Sequence, residues 1–363
     1  LRLIHFLSLI LTVTVILICA GCPPPQEHFS YRGGPGRPGL SAPTSLENKQ
    51  AWQLKTGGTM LAPTAATNAT VIAGTTDDRI VLADIATGKI TVVIPTNGDV
   101  TADAAIDGTQ AYVGAMDGKV YTINTKTNTT VWQTNLGVPI AAPLAVTQNA
   151  IYVADIKGRL SKLGKNGKAL WQRDLGSPIY AAPEVEGNLV YVGTYAGKLV
   201  VVDTRNGKPL WDYSSTSAIV TSPCAIGKLV LIVDRLGNVA ALDAAGGGIV
   251  WSVNLKCTVE ANLAANADRV VVASLDGQVI CLSLADGKTL WTVNLGSAVQ
   301  GGVALWADQA FLTTTDGKMT VLSLADGAKL LSSDLKGEII AAPTLTPAGI
   351  VVNMADGTIV LLK

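Results

Sequence analysis

Gly237-Asn238-Val239-Ala240-Ala241-Leu242-Asp243-Ala244-Ala245-Gly246-Gly247-Gly248-Ile249-Val250-Trp251 holds a glycine, a short apolar segment, an aspartate opening a glycine-rich turn, and a tryptophan four residues past Gly247. The tryptophan recurs along the chain. Trp132, Trp171, Trp211, Trp251 and Trp291 stand 39 or 40 residues apart, and Trp52 lies 80 residues before Trp132. Val92 and Leu331 fill the two stations that lack an indole. A period near 40 residues marks a four-stranded propeller blade. Eight stations therefore predict an all-β, eight-bladed β-propeller with four antiparallel strands per blade.

Two glycine series keep step with the tryptophans. Gly118, Gly158, Gly197, Gly237, Gly277, Gly317 and Gly357 share one station, with Asp78 at the same place in the first repeat. Asp117, Asp276, Asp316 and Asp356 precede four of them, and Asp-Gly between alternating segments predicts a two-residue type I′ hairpin, with positive φ at both positions. Gly88, Gly167, Gly207, Gly247, Gly287 and Gly327 form the second series, each four residues before a tryptophan station, with Asn128 at the remaining place. Asn is the usual substitute for Gly where the backbone turns left-handed. One repeat then reads as strands over 178–185, 188–193, 198–203 and 208–213, bounded by turn residues. The first strand is placed nearest the axis because it carries Ala62-Pro63, Ala142-Pro143, Ala182-Pro183, Ser222-Pro223 and Ala342-Pro343, small residues suited to a crowded centre.

Trp52, Trp132, Trp171, Trp211, Trp251 and Trp291 are assigned to blade docking. A large flat ring at one station fills the wedge between neighbouring sheets and buries on the order of 150–250 Å². The eighth repeat reaches Lys363 at its third strand, while Lys49-Gln50-Ala51-Trp52-Gln53-Leu54 precedes the first full repeat as a spare fourth strand. An annulus closed by that N-terminal strand leaves no sheet edge unpaired, and residues 49–363 are expected to form one domain.

Residues 1–21 read as a signal peptide. Positions 3–18 are almost all apolar, follow Arg2, and lead into Cys19-Ala20-Gly21-Cys22. The run is short for a membrane span and fits a secretory h-region followed by small residues. The pattern resembles a bacterial lipobox, which makes Cys22 the expected lipidation site and the chain an anchored lipoprotein. Residues 22–48, rich in Pro and Gly from Pro23 to Gly39, read as a tether.

Charge excludes a class of partner. Lys plus Arg and Asp plus Glu each number 27, and no repeat carries a basic run, so no nucleic-acid partner is expected. The only histidines, His5 and His28, precede the propeller, which removes histidine-dependent triads and haem or zinc ligation from it. No metal and no cofactor are expected. Cys224, Cys257 and Cys281 read as small sheet hydrophobes, with a Cys224–Cys257 bridge left open. Asp103, Glu184 and Glu260 fall on first strands, where a carboxylate either lines the axial channel or ends a strand in solvent.

The Leu-Asp-x-x-x-Gly-x-x-x-Trp pattern, seen in Leu242 to Trp251 and more loosely in Val202 to Trp211, resembles the tryptophan-docking repeat of the pyrroloquinoline-quinone-type propellers. With the lipobox, linker and N-terminal closing strand, the chain is similar to the BamB family of outer-membrane lipoproteins. That resemblance implies a non-catalytic scaffold, lipid-anchored on the periplasmic side of the outer membrane, with inner-membrane anchoring or the cell surface as the alternative. It also implies a barrel-insertase subunit as partner, met by middle-blade loops on one face. The matching connections here, 174–178 and 213–217, are short, and Leu175, Ser177, Tyr213 and Ser215 are the expected contacts. The alternatives are a ligand-binding or cell-envelope interaction module and, less favoured, a quinoprotein dehydrogenase. Dehydrogenases of that kind carry an adjacent cysteine pair and large inserted loops, and this chain has neither.

Overall fold

A computed structural model describes residues 49–363. Cys22, the signal segment and the tether lie outside the described residues. Thirty-two strands form eight four-stranded antiparallel sheets. We number the blades by their first strands, from blade 1 at Ala65 to blade 8 at Thr344. In blade 4 the strands are Glu184–Glu186, Leu189–Gly193, Lys198–Asp203 and Pro209–Ser214. Blade 8 takes its fourth strand from the other end of the described chain. Gln50–Lys55 pairs with Thr358–Leu362, extended by reciprocal bonds between Lys49 and Lys363 at 3.1 and 2.9 Å.

Second and third strands are apolar on both faces because a blade covers each side. Eight core clusters result, one for each blade interface. Fourth strands alternate exposed and half-buried residues, as expected for an outer strand packed on one side only.

Two local expectations are corrected. The first strand of blade 4 does not begin at residue 178: it is only Glu184–Glu186. Residues 178–183 instead carry the chain from the rim to the axis, and Pro183, which has no N–H to give a ladder, marks where pairing can start. The Asp-Gly hairpins are not type I′. In blade 2, Gly118 N–H bonds Ala115 O at 3.0 Å and Ala115 N–H bonds Lys119 O at 3.1 Å. Only Gly118, at φ 79°, is left-handed there. This is a type I turn ending in a glycine bulge, in which Asp117 keeps negative φ and its carboxylate accepts the Lys119 N–H at 3.0 Å. Asp78, at the glycine station of blade 1, does adopt positive φ, at 63°.

The indoles dock blade to blade. Trp171 donates Nε1–H to Thr204 O of blade 4 at 3.0 Å, and Trp52, Trp132, Trp251 and Trp291 reach Ile85, Lys165, Leu284 and Leu324 carbonyls at 2.8–2.9 Å. The ring lies on the second-series glycine of that next blade. A β-carbon on Gly207 would stand 2.7 Å from the Trp171 ring. These glycines thus answer two demands, left-handed backbone and close ring approach.

Candidate protein-binding face

The strand order divides the loops between two faces. Connections from one blade's fourth strand to the next blade's first share a face with the turns between second and third strands. All four sequence-predicted contact residues belong to this face at blades 3 to 5, and each also supports the rim. Leu175 packs against the core between blades 3 and 4, and its N–H bonds Gly158 O at 2.8 Å. Ser177 Oγ accepts the Ala196 N–H at 2.9 Å. Tyr213 packs against the core between blades 4 and 5, where burial and then the nearby Asp234 charge push its phenol up. Ser215 donates its hydroxyl to Asp234 Oδ2 at 2.7 Å.

Asp234 organises this part of the face. It is fully buried, and its Oδ1 accepts the Leu236 and Asn238 N–H groups, both at 3.0 Å. Its Oδ2 accepts Ser215, Thr216 and the Ser217 N–H across the blade boundary, at 2.7, 3.1 and 3.1 Å. Burial pushes the carboxyl up, but the donors from Asn238, Ser215 and Thr216 outweigh it and hold it below the usual carboxylate value. Asp155 caps the equivalent turn of blade 3 in the same way, accepting Lys157 and Arg159 N–H groups at 3.0 Å.

With these turns capped from below, their tips are free to carry other chemistry. Lys157, Ala196 and Leu236 stand where blades 2, 6, 7 and 8 have Asp before the glycine. Leu236 is 56% exposed. Tyr195, at the tip of the blade 4 turn, is 48% exposed and meets Tyr180 edge to face, with centroids 5.7 Å apart at 76°. Arg235, the chain neighbour of Leu236, forms an ion pair with Glu260. Tyr180, Tyr195 and Leu236 are site residues that the sequence reading did not select. The available signal was the loss of the Asp-Gly aspartate in three consecutive blades.

The other singled-out groups are placed as follows. Asp103 is buried, and Glu184 is half-buried on a first strand. Cys257 and Cys281 are thiols, so no bridge joins Cys224 to Cys257. Burial raises both thiols above their ordinary range. Among the described residues no group of three or more His, Cys, Asp or Glu side chains is placed to hold a metal ion.

A profile of the family described as outer membrane protein assembly factor BamB matches residues 42–136, 116–234, 210–293, 235–330 and 276–363. The chain belongs to this BamB family of PQQ-like propellers. No curated protein sequence matches it. Among solved structures, BamB from Moraxella catarrhalis is similar at 19% identity and a TM-score of 0.76, covering 87% of this chain and 99% of that one. The computationally designed Ika8 protein matches at 21% identity and 0.78, covering 88% and 99%. A quinohemoprotein alcohol dehydrogenase from Comamonas testosteroni matches at 15% and 0.76, covering 88% and 78%. At such identities these three show the fold alone, which assembly factor and dehydrogenase share.

Proposed function

We propose that the chain is a non-catalytic, protein-binding scaffold of the cell envelope that supports outer-membrane β-barrel assembly, with its partner seated on blades 3 to 5. The observation that carries this reading is a group of exposed apolar residues on one face, the Tyr180–Tyr195 pair and, on the matching turn of the next blade, Leu236, where the turns of a BamB-family propeller depart from its repeat. Aromatic and aliphatic anchors beside a charged pair are the composition of an interface centre and rim. Leu175, Ser177, Tyr213 and Ser215 hold the loops beneath that group and border it. The partner in this reading is a barrel-insertase subunit, and no cofactor takes part. Lipidation at Cys22 and the tether after it would keep the face near the membrane on its periplasmic side.

Photo-crosslinking in cells tests the placement. A crosslinker at residue 195 or 236 is expected to capture an insertase subunit, and one at Asn206, on the opposite face of blade 4, is not. Equal capture from both faces, or none from 195 and 236, removes this reading. Cys22→Ala is expected to move the protein from the membrane fraction to the soluble one.

A further inference from the structure

Two of the eight blade interfaces lack a docked indole, at Val92 and at Leu331, and the first of them leaves open space. Between blades 1 and 2, Val92 stands where an indole docks elsewhere, and Asn128 stands in place of the glycine beneath it. Ile72 of blade 1 holds the register position that carries Tyr112, Tyr152 and Tyr191 in the next three blades and Leu231 and Val271 in the two after them, so no ring from that position fills the space either. The turn on which an indole would dock, around Thr125 and Asn128, borders open space instead. A solvent-open cleft of about 630 Å³ lies between the two blades, within the roughly 300–1,000 Å³ range of small-molecule sites. It is formed by the turns between first and second and between third and fourth strands. It therefore lies on the face opposite Tyr195 and Leu236, and stands independently of the protein-binding reading.

The lining decides what fits. Thr67, Thr91 and Thr109 bring hydroxyls, Asn68 and Asn128 bring amides, and no aromatic side chain lines the cleft. Thr67 Oγ1 already accepts the Ala69 and Thr70 N–H groups and Thr91 already donates to Leu82 O, so Thr67 has its proton and Thr91 its lone pairs left to offer. Asn128 Oδ1 is buried and has no hydrogen-bond partner. A buried acceptor left unmet is unfavourable, so an occupant whose entry uncovers Oδ1 should donate a hydrogen bond to it. Asp84 and Lys126 place one charge of each sign at the cleft, which favours neither an anion nor a cation. An indole from a partner does not fit in the pose used elsewhere. At the six tryptophan-bearing interfaces a β-carbon at the glycine station would lie 2.5–2.8 Å from the ring, and Asn128 has that carbon.

We propose that this cleft binds a neutral saccharide of one or two rings. Its hydroxyls both donate and accept, matching threonine hydroxyls and amides, and its C–H faces match Ala66 and Ile106 at the cleft wall. The test is calorimetric titration of the full chain with cellobiose, N,N′-diacetylchitobiose and indole. At least one disaccharide is expected to bind saturably. Val92→Trp with Asn128→Gly rebuilds the pair found at the other interfaces, fills the cleft and is expected to weaken binding at least tenfold. Asn128→Ala, which removes only the acceptor and decides the matter if the double variant fails to fold, is expected to weaken it severalfold. Absence of disaccharide binding, unchanged binding in the variants, or indole binding in place of the sugars overturns the proposal.

Discussion

At the scale of single residues, the Trp211 indole differs from its five counterparts. Its Nε1 is buried without a partner, and the carbonyl in the equivalent position, Ala244 O, accepts the Tyr191 hydroxyl at 3.4 Å. Trp251 by contrast donates to Leu284 O at 2.8 Å in a buried setting. Replacing each by Phe removes similar ring surface but breaks an indole bond only at 251. Trp251→Phe is therefore expected to destabilise by about 1 kcal/mol more than Trp211→Phe, measured by urea unfolding. Equal losses would show that the docking bond contributes nothing beyond packing. The tryptophan and glycine stations are legible in the sequence because each repeats on the blade period. Their mutual dependence is hidden until the blades are placed side by side. Gly88 serves Trp52 of blade 8, and Asn128 is tolerated because Val92 of blade 1 leaves the space above it empty. Leu331 fits the same logic, since the third and fourth strands of blade 8 come from opposite ends of the described chain and offer no glycine turn to dock on.

At the scale of elements, the second and third strands follow directly from their apolar runs, whereas the first strands do not. Small residues and proline look extended, yet Pro183 forbids pairing until Glu184. The turns were legible as positions and not as types. An Asp-Gly pair serves a type I turn with a glycine bulge as readily as a type I′ turn, and the loop residue preceding the pair decides between them. The caps were equally hidden, because Asp155, Thr194, Asp234 and Ser274 share a station but not a residue type. Asp234→Asn tests what such a cap does. It turns one acceptor into a donor facing Ser215, Thr216 and the Ser217 N–H or the Leu236 N–H. The expected cost is about 1–3 kcal/mol, the range for unmet buried groups. Amide exchange should rise at 215–217 and 235–238 before it rises elsewhere. Uniform exchange across all eight blades would show that the turn is held by its backbone alone.

At the scale of the whole molecule, the eight-fold period made the architecture readable, and the same regularity concealed the candidate face. Lys157, Ala196 and Leu236 are single substitutions in consecutive copies of a repeated turn, and the ring adds that the exposed Tyr180 and Tyr195 share their face. Repetition also shapes the response to acid. Asp77, Asp84, Asp117, Asp203, Asp234, Asp276, Asp286, Asp316, Asp326 and Asp356 are all held below the ordinary value of 3.8. Hydrogen bonds from Arg205 and Lys288 hold Asp203 and Asp286 down to about 2. A carboxyl whose folded value lies below its unfolded one contributes stability that is present above the unfolded value and lost as pH falls through the folded one. Residues 49–363 contain no histidine, so no imidazole titrates between pH 5 and 8. The urea midpoint is therefore expected to stay flat from pH 8 to 5 and to fall progressively from about pH 4 to pH 2. Each exposed ion pair contributes little and is screened by salt, so the fall should be shallower at high ionic strength, leaving the aspartates held by hydroxyl and backbone donors, among them Asp84, Asp117, Asp234 and Asp276. A midpoint that declines already between pH 7 and 5, or that holds to pH 2, would mean that the turn aspartates do not set the acid limit of the ring.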